Sequence, residues 1–302
     1  MKAGITSETD ILKKVIVHTP GSEVSLVNPN KKEDLLFDDI IFENDARIEH
    51  QDMLELFRTA MPVDGEIIEI LDLALHCFQS EEVRHQFIEL MIKELADENI
   101  HPIEKDLQQL DAETLLQFVL EGSIPPGRHF HLNPVPNLLF TRDLAAIVGN
   151  SIIISKAAKK ARAREFLLME TIVMHHPLFN ELKKHAIHTS SQQSIEGGDV
   201  IVVSDSIVLI GMSERTSFSG LMGVAEQLLD HGISHVIAVD IPKQRSSMHL
   251  DTIFTFADHD ECVVFPPAIE DKTDNVVHLH SVHGSVQAKK KSSLKKTLEE
   301  LT

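Results

Sequence analysis

Apolar and polar positions follow two different rhythms in different parts of the chain. Near the start, residues 11–18 (Ile-Leu-Lys-Lys-Val-Ile-Val-His) read as a strand closed by Thr-Pro-Gly at 19–21. The acidic segment 34–39 reads as a turn. Ile48, Met53, Leu54, Leu56 and Phe57 then mark the apolar face of a helix, and Gly65 precedes a short strand at 66–70. Residues 71–122 change character. They are rich in Leu, Glu, Gln and Lys, poor in Gly and Pro, and repeat at helical spacing (Phe87, Leu90, Met91, Leu95), which predicts three to four short helices inserted between β-containing parts.

From residue 124 strand patterns return. They predict strands at 145–154, 199–204, 206–211, 234–239 and 261–265, with helices at 156–174 and 217–232. The recurring order strand, strand, helix, strand argues for an α/β (α+β) protein. The domain reading is a β-rich body at 1–70 and 123–302, interrupted by a helical insertion at 71–122. Leu294, Leu298 and Leu301 predict an amphipathic helix over 292–302 with no capping glycine or closing strand, so the expectation is a chain cut before its last module.

Composition narrows the partners. The 302 residues carry 28 basic and 47 acidic side chains, a net charge of −19, which disfavours nucleic acid and anionic membrane surfaces. Hydrophobic residues make up 42%, enough for a sizeable core. Cys77 and Cys262 are too few for a disulfide framework, and the polar N-terminus lacks a signal-peptide core, so a cytoplasmic protein is expected. No window is apolar enough to span a bilayer.

Four motifs carry candidate chemistry: Asn-Leu-Leu-Phe-Thr-Arg-Asp (137–143), Glu-Gly-Gly-Asp (196–199), Ser-Glu-Arg-Thr (213–216) and Met-His-Leu-Asp (248–251). Asp143 and Asp251 can accept the forked donors of a guanidinium, and Glu196 and His249 can move protons near neutral pH. His249 and Asp251, two apart on an extended segment, would share one face. Gly197 and Gly198 would let the backbone approach a ligand. Arg162 and Arg215 can clamp a carboxylate. Each motif alone reads more often as a turn, a hairpin, a surface pair or a solvated loop than as a site. Their joint occurrence in this order is what carries weight.

The ordered set Asn-x-x-Phe-Thr-Arg-Asp, Arg162-x-Arg-Glu, Glu-Gly-Gly-Asp and Met-His-Leu-Asp, with Leu12-Lys-Lys-Val-Ile-Val-His-Thr-Pro-Gly and Leu35-Leu-Phe-Asp-Asp upstream, resembles the arginine deiminases of the guanidine-modifying (pentein) superfamily. The resemblance implies a pentein-type propeller of ββαβ modules around a central pocket, with the helices at 71–122 as an insertion. It implies hydrolysis of L-arginine to L-citrulline and ammonia through a covalent cysteine intermediate, without cofactor. Asp143 and Asp251 would hold the guanidinium, Glu196 and His249 would handle protons, and Asn137, Arg162 and Arg215 would receive the α-carboxylate.

The chain departs from that pattern in its nucleophile. Cys262 follows Asp251 but sits in Asp-Glu-Cys-Val-Val-Phe, a buried-strand pattern that suits an inert thiol, and Cys77 lies in the helical stretch. The chain as given is therefore expected to bind arginine with little turnover. Leu144 stands where the family commonly has proline. A catalytically inactive arginine-binding relative and an amidinotransferase or agmatine deiminase are the competing readings, and homo-oligomerisation stays open. His278, His280 and His283, like His175 and His176, read as surface histidines rather than a metal site, and Lys289 to Lys291 as a solvated turn or linker.

Overall fold

The computed structural model describes residues 4–37, 39–98, 100–124, 129–190, 192–270 and 274–302. Asp38, part of the acidic turn read at 34–39, lies outside them. In chain order come β1 (Lys14–Val17), α1 (Ser22–Ser25), α2 (Glu43–Ala60), β2 (Glu66–Glu69), α3 (Ile70–Phe78), α4 (Glu81–Glu94), α5 (Glu104–Gln108), α6 (Ala112–Glu121), β3 (Ser123–Ile124), β4 (His129–Phe130), β5 (Ala145–Val148), β6 (Ser151–Ile154) and α7 (Ala163–His175). There follow β7 (Ala186–Ile187), β8 (Val200–Val202), β9 (Ile207–Met212), α8 (Phe218–Asp230), β10 (His235–Asp240), β11 (Phe254–Phe256), β12 (Cys262–Val264), α9 (Pro266–Ile269), β13 (Val276–Val282), β14 (Ser285–Lys291) and α10 (Leu294–Leu301). None of the described helices is long and apolar enough to cross a membrane.

The chain divides into two compact units. One holds Ile11–Thr141 and Lys159–Phe179; the other holds the segment up to Asp10, Arg142–Ala158 and Asn180–Thr302. The helices predicted within 71–122 are present, but they share a unit with residues 11–70 and with α7, so the units do not break at 70/71 and 122/123.

In the first of these units α3, α4, α6 and α7 pack together around the fully buried Phe78, Phe87, Met91 and Phe118. Their ends are set locally. The Ser80 side chain accepts from Val83 N at the start of α4, and Asp111 accepts from Thr114 N at the start of α6. Gly122 closes α6 in the left-handed region at φ 73°. The parallel pair β1–β2 completes the unit's larger elements. Here one expectation fails: α2 forms, but Leu54 is its single buried residue, while Ile48 and Leu56 stay exposed. A helical period predicts the helix and not the surface that covers it.

The other unit contains a five-stranded sheet in the order β14-β13-β10-β9-β8. Strands β8 and β9 run antiparallel, α8 crosses over, and β10 returns parallel to β9, giving one complete ββαβ module. Strand β9 is buried on both faces, as the near-continuous apolar run of a central strand requires. Val208 and Ile210 meet Leu221, Val224 and Leu228 of α8. Ile207 and Leu209 face Leu250, Val276 and Leu294 on the opposite side. A fully buried leucine such as Leu228 contributes about 1.5–3 kcal/mol by burial.

Strands β5, β6 and β7 repeat the pattern, antiparallel then parallel. The single strand predicted at 145–154 is thus a hairpin. Val148 pairs with Ser151 across a two-residue loop, and Gly149 takes the positive φ (57°) that such a loop needs at its first position.

The β13–β14 hairpin corrects two further readings. Val282 pairs with Ser285, and His283 and Gly284 both adopt positive φ (51° and 76°), the signature of a type I′ turn. Lys289, Lys290 and Lys291 therefore lie in an edge strand rather than a linker, where lysines discourage further strand pairing. His278 is not a surface residue but is 7% exposed within β13. Cys262 does sit in a strand, β12, yet it is exposed rather than buried, because β12 pairs only with the short β11 in a two-stranded ribbon.

Candidate active site

Three tight turns deliver the chemistry. Asp143 lies in the 3-10 turn Thr141–Leu144 just ahead of β5, Glu196 precedes the turn Gly197–Asp199 that enters β8, and His249 precedes the turn Leu250–Thr252. Their side chains meet. His249 Nε2 lies 3.0 Å from Glu196 Oε2 and His249 Nδ1 lies 3.5 Å from Asp143 Oδ1. All three residues are buried, Glu196 completely. Glu196 Oε1 also accepts from Ala158 N at 3.1 Å, while Glu196 N donates to Thr216 Oγ1 at 3.3 Å.

Burial works against a charge on His249, but the Glu196 hydrogen bond and the charges of Asp143, Asp199 and Glu196 outweigh it and hold the imidazolium above its usual range. Both ring nitrogens face carboxylates, which holds the ring in place in its charged form. Asp143, Glu196 and His249 also offer ligand atoms within 4.8 Å of one another. Such a donor set suits a cation, and here the imidazolium already supplies one.

The two glycines make room for close packing within the fold: Gly198 for the side chains of His249 and Asp143, Gly197 for the backbone of the turn before β5. A Cβ on Gly198 would stand 2.8 Å from His249 Cγ and 3.0 Å from Asp143 Oδ1. One on Gly197 would stand 2.2 Å from the Arg142 carbonyl oxygen.

Sequence reasoning missed Asp199, the last residue of Glu-Gly-Gly-Asp. It is fully buried, accepts from Leu250 N at 2.9 Å and from Ser213 Oγ at 2.6 Å. Ser213 Oγ in turn accepts from Arg215 N and Thr216 N at 2.9 and 3.1 Å. Burial, against the pull of His249 and these hydrogen bonds, raises the Asp199 carboxyl to about 7. Arg142 was also overlooked. It grips both oxygens of Glu8 at 3.3 and 3.1 Å and donates to the Val200 carbonyl at 2.7 Å, tying the N-terminal segment to β8.

Arg215 is 4% exposed, and its Nε and Nη1 are buried without hydrogen-bond partners among the described residues. A buried guanidinium left this way carries an uncompensated desolvation cost. Asp251 does not share a face with His249, because the intervening backbone is a 3-10 turn rather than a strand. Asp251 keeps solvent contact while His249 is buried. Partial desolvation, with the Asp143 charge adding to it and His249 and Arg142 opposing, raises Asp251 to about 6.

The remaining two predicted residues belong to the other unit. Asn137 donates from Nδ2 to the Leu35 carbonyl at 2.7 Å. Arg162 donates to Glu165 at 2.7 Å and to the Asn137 carbonyl at 3.1 Å, with its guanidinium carbon 5.2 Å from the Phe166 ring centre. Both are buried.

A family model described as Arginine deiminase matches residues 125–301, which include every motif of the site. The arginine deiminase of Limosilactobacillus fermentum is 32% identical, over 98% of this chain and 77% of that protein. This chain belongs to the arginine deiminase family. The Listeria monocytogenes serotype 4a arginine deiminase is 34% identical, over 87% of this chain and 68% of its own length. Among solved structures, a dimethylarginine dimethylaminohydrolase carrying a 4-chloro-2-hydroxymethylpyridine adduct is similar at 17% identity and a TM-score of 0.48, over 84% of this chain and 69% of that one. At that distance the likeness adds nothing to the family membership.

The arginine deiminase family places the chain among guanidine-modifying hydrolases, and its α/β class and ββαβ module agree with the pentein architecture. Its cysteines are unlike activated nucleophiles. Burial pushes the Cys77 thiol up to about 11. Partial loss of solvent and the Glu270 charge raise Cys262 as well, with Lys295 opposing, although that residue is exposed. An attacking thiolate needs the reverse shift.

Proposed function

We propose that this chain supplies the guanidinium-gripping and proton-handling groups for hydrolysis of L-arginine to L-citrulline and ammonia. The observation that carries the reading is the buried Glu196–His249–Asp143 array, in which both imidazole nitrogens face carboxylates. Asp143 and Asp251 pair with the guanidinium N–H groups. Glu196 holds His249 in its charged form, and Arg215, with two nitrogens unpartnered among the described residues, takes the α-carboxylate. The helices of 71–122 are an insertion into a pentein frame.

In the covalent route a thiolate adds to the guanidinium carbon. The C–N bond to the leaving nitrogen then breaks, with a proton from His249 releasing ammonia. His249 next accepts a proton from water as it adds to the thiouronium carbon, and the C–S bond breaks to release citrulline. Neither Cys77 nor Cys262 has the lowered pKa this step needs. The chain is therefore proposed to bind arginine and to turn it over slowly or not at all. Both cysteines are free, in keeping with a reducing, cytoplasmic setting.

The unpartnered Arg215 favours an amino acid over agmatine, which has no carboxylate. The test is calorimetric titration with L-arginine and agmatine alongside a citrulline assay. Arginine binding that is lost in Glu196→Gln and His249→Asn supports the reading. Equal affinity for both ligands, or binding indifferent to those substitutions, overturns it.

A further inference from the structure

The segment ahead of β1 is fastened across the unit that holds Asp143, Glu196 and His249. Ile5 N donates to the Gly149 carbonyl at 3.0 Å and Gly149 N to the Ile5 carbonyl at 2.7 Å, which ties the segment to the β5–β6 turn. Three residues on, Glu8 N donates to the Val202 carbonyl at 3.2 Å, and Val202 N donates to Glu8 Oε1 at 2.9 Å. The Glu8 carboxylate is thereby set with both oxygens on Arg142, accepting from Nη1 at 3.3 Å and from Nη2 at 3.1 Å. Arg142 also spans the Gly197–Asp199 turn. Its Nη2 donates to the Val200 carbonyl at 2.7 Å and its Nε to the Gly197 carbonyl at 3.4 Å.

We propose that Glu8 is a positioning residue for the guanidinium site. By engaging both terminal nitrogens of Arg142 it keeps that side chain off Asp143 and Asp251 and leaves their charge for the substrate cation, an assignment that rests on those two aspartates receiving the substrate head group. Arg142 immediately precedes Asp143 in the same 3-10 turn. Its guanidinium presents the same fork of donors as the substrate's own head group, so it competes for the same acceptors. The charges of Asp251 and Asp143 already act on it. Left unpaired, a half-exposed cation at this place would turn toward the two carboxylates. A pair that served only to fasten the segment would add little, because the Ile5–Gly149 and Glu8–Val202 bonds fasten it already.

The charges around Asp251 give the role a sign. Desolvation raises its carboxyl most, His249 from its own turn and Arg142 from the turn before β5 lower it, and Asp143 and Glu8 raise it. Removing the Glu8 charge and releasing Arg142 therefore act in one direction on Asp251: both favour its ionised form. The same two changes weaken the pull of the site on an incoming cation. Easier ionisation together with weaker cation binding is a combination that simple loosening of the segment does not produce.

Glu8→Gln removes the charge and keeps an oxygen for Val202 N, so the segment stays attached. The Asp251 carboxyl is followed by carbon-detected NMR titration of the free chain, and L-arginine affinity by calorimetry, in the unaltered protein and the variant. The Asp251 titration is expected to move to lower pH in Glu8→Gln. Arginine affinity at pH 7.5 should fall about fivefold, the upper range for one exposed ion pair. An Asp251 titration that stays in place or moves upward overturns the assignment, even where affinity falls, because that loss is then structural. Unchanged affinity in the variant overturns it as well. If the unaltered chain binds no arginine, the proposed function fails, and the Asp251 titration still decides whether Glu8 withholds Arg142 from the site.

Discussion

Asp199 Oδ1 accepts the backbone N–H of Leu250 at 2.9 Å, and that bond joins the Glu-Gly-Gly-Asp turn to the residue after His249. Its other oxygen accepts from Ser213 Oγ, which organises the turn bearing Arg215. One carboxylate thus links three motifs that are far apart in sequence. Asp199→Ala would leave Ser213 Oγ and Leu250 N without their acceptor in a buried place, at a cost of about 2–4 kcal/mol in stability. The expected result in urea unfolding is a lowered midpoint, with arginine binding lost in parallel.

The same residue carries a pH signature. The folded-state carboxyl of Asp199 stands at about 7, above its ordinary value of 3.8. Its protonated form therefore contributes stability that is present below about 4 and lost as pH rises through 7. Asp199→Asn, which cannot ionise, should remove that decline. Thermal unfolding of the two proteins between pH 4 and 8 checks it, and parallel curves would refute a titrating Asp199.

The glycine pair and the ordered motifs were legible in the sequence because they encode a requirement of local geometry. Asp199 was not, because its partners Ser213 and Leu250 are remote in sequence and only the fold brings them to it. The β5–β6 and β13–β14 hairpins failed for a different reason. Gly149-Asn150 and His283-Gly284 are two-residue turn signals, but each sits inside an apolar or histidine-rich run that draws the eye to one long strand or to a motif. The helices of 71–122 read correctly because a long 3.6-residue period survives without tertiary context, whereas the exposed face of α2 depends wholly on what packs there.

A second buried network lies outside the site. His18, 1% exposed, faces Glu23 Oε1 at 3.0 Å and Glu69 Oε1 at 3.1 Å. Burial alone would lower its pKa, but the two carboxylates raise it to about 9 from 6.5. A raised histidine contributes stability that is complete below 6.5 and disappears as pH climbs through 9, on the order of 3 kcal/mol for a shift of this size. Unfolding midpoints should fall over that window in the intact protein. They should stay level in His18→Gln, which starts lower.

Asp251, raised to about 6 by partial desolvation and by Asp143, must be ionised to accept a guanidinium. Arginine affinity is therefore expected to weaken roughly tenfold per pH unit below 6 and to level off above it, if one proton is linked to binding. Calorimetric dissociation constants from pH 4.5 to 8 measure this. Asp251→Asn should bind weakly at every pH, without the break.

Gly198 gives a steric test of the same array. A methyl group there would meet His249 Cγ at 2.8 Å and Asp143 Oδ1 at 3.0 Å, so Gly198→Ala must push the imidazole away from its carboxylates. Overpacking of this kind costs about 1–3 kcal/mol, and the lengthened His249–Glu196 contact should let the histidine pKa drift down. Proton-detected titration of His249 reads that shift directly, and an unchanged value would mean the turn yields instead.

Arg215 separates binding from stability. Two of its guanidinium nitrogens are buried without partners among the described residues, so the folded chain carries the desolvation penalty of a cation with little return. Arg215→Met keeps the apolar stem and removes the charge. It should leave the unfolding temperature unchanged or raise it, the opposite of a usual core substitution, while arginine binding is lost and any binding of guanidine itself survives. A fall in unfolding temperature would show that the guanidinium is already satisfied within the fold and is not held in reserve for a carboxylate.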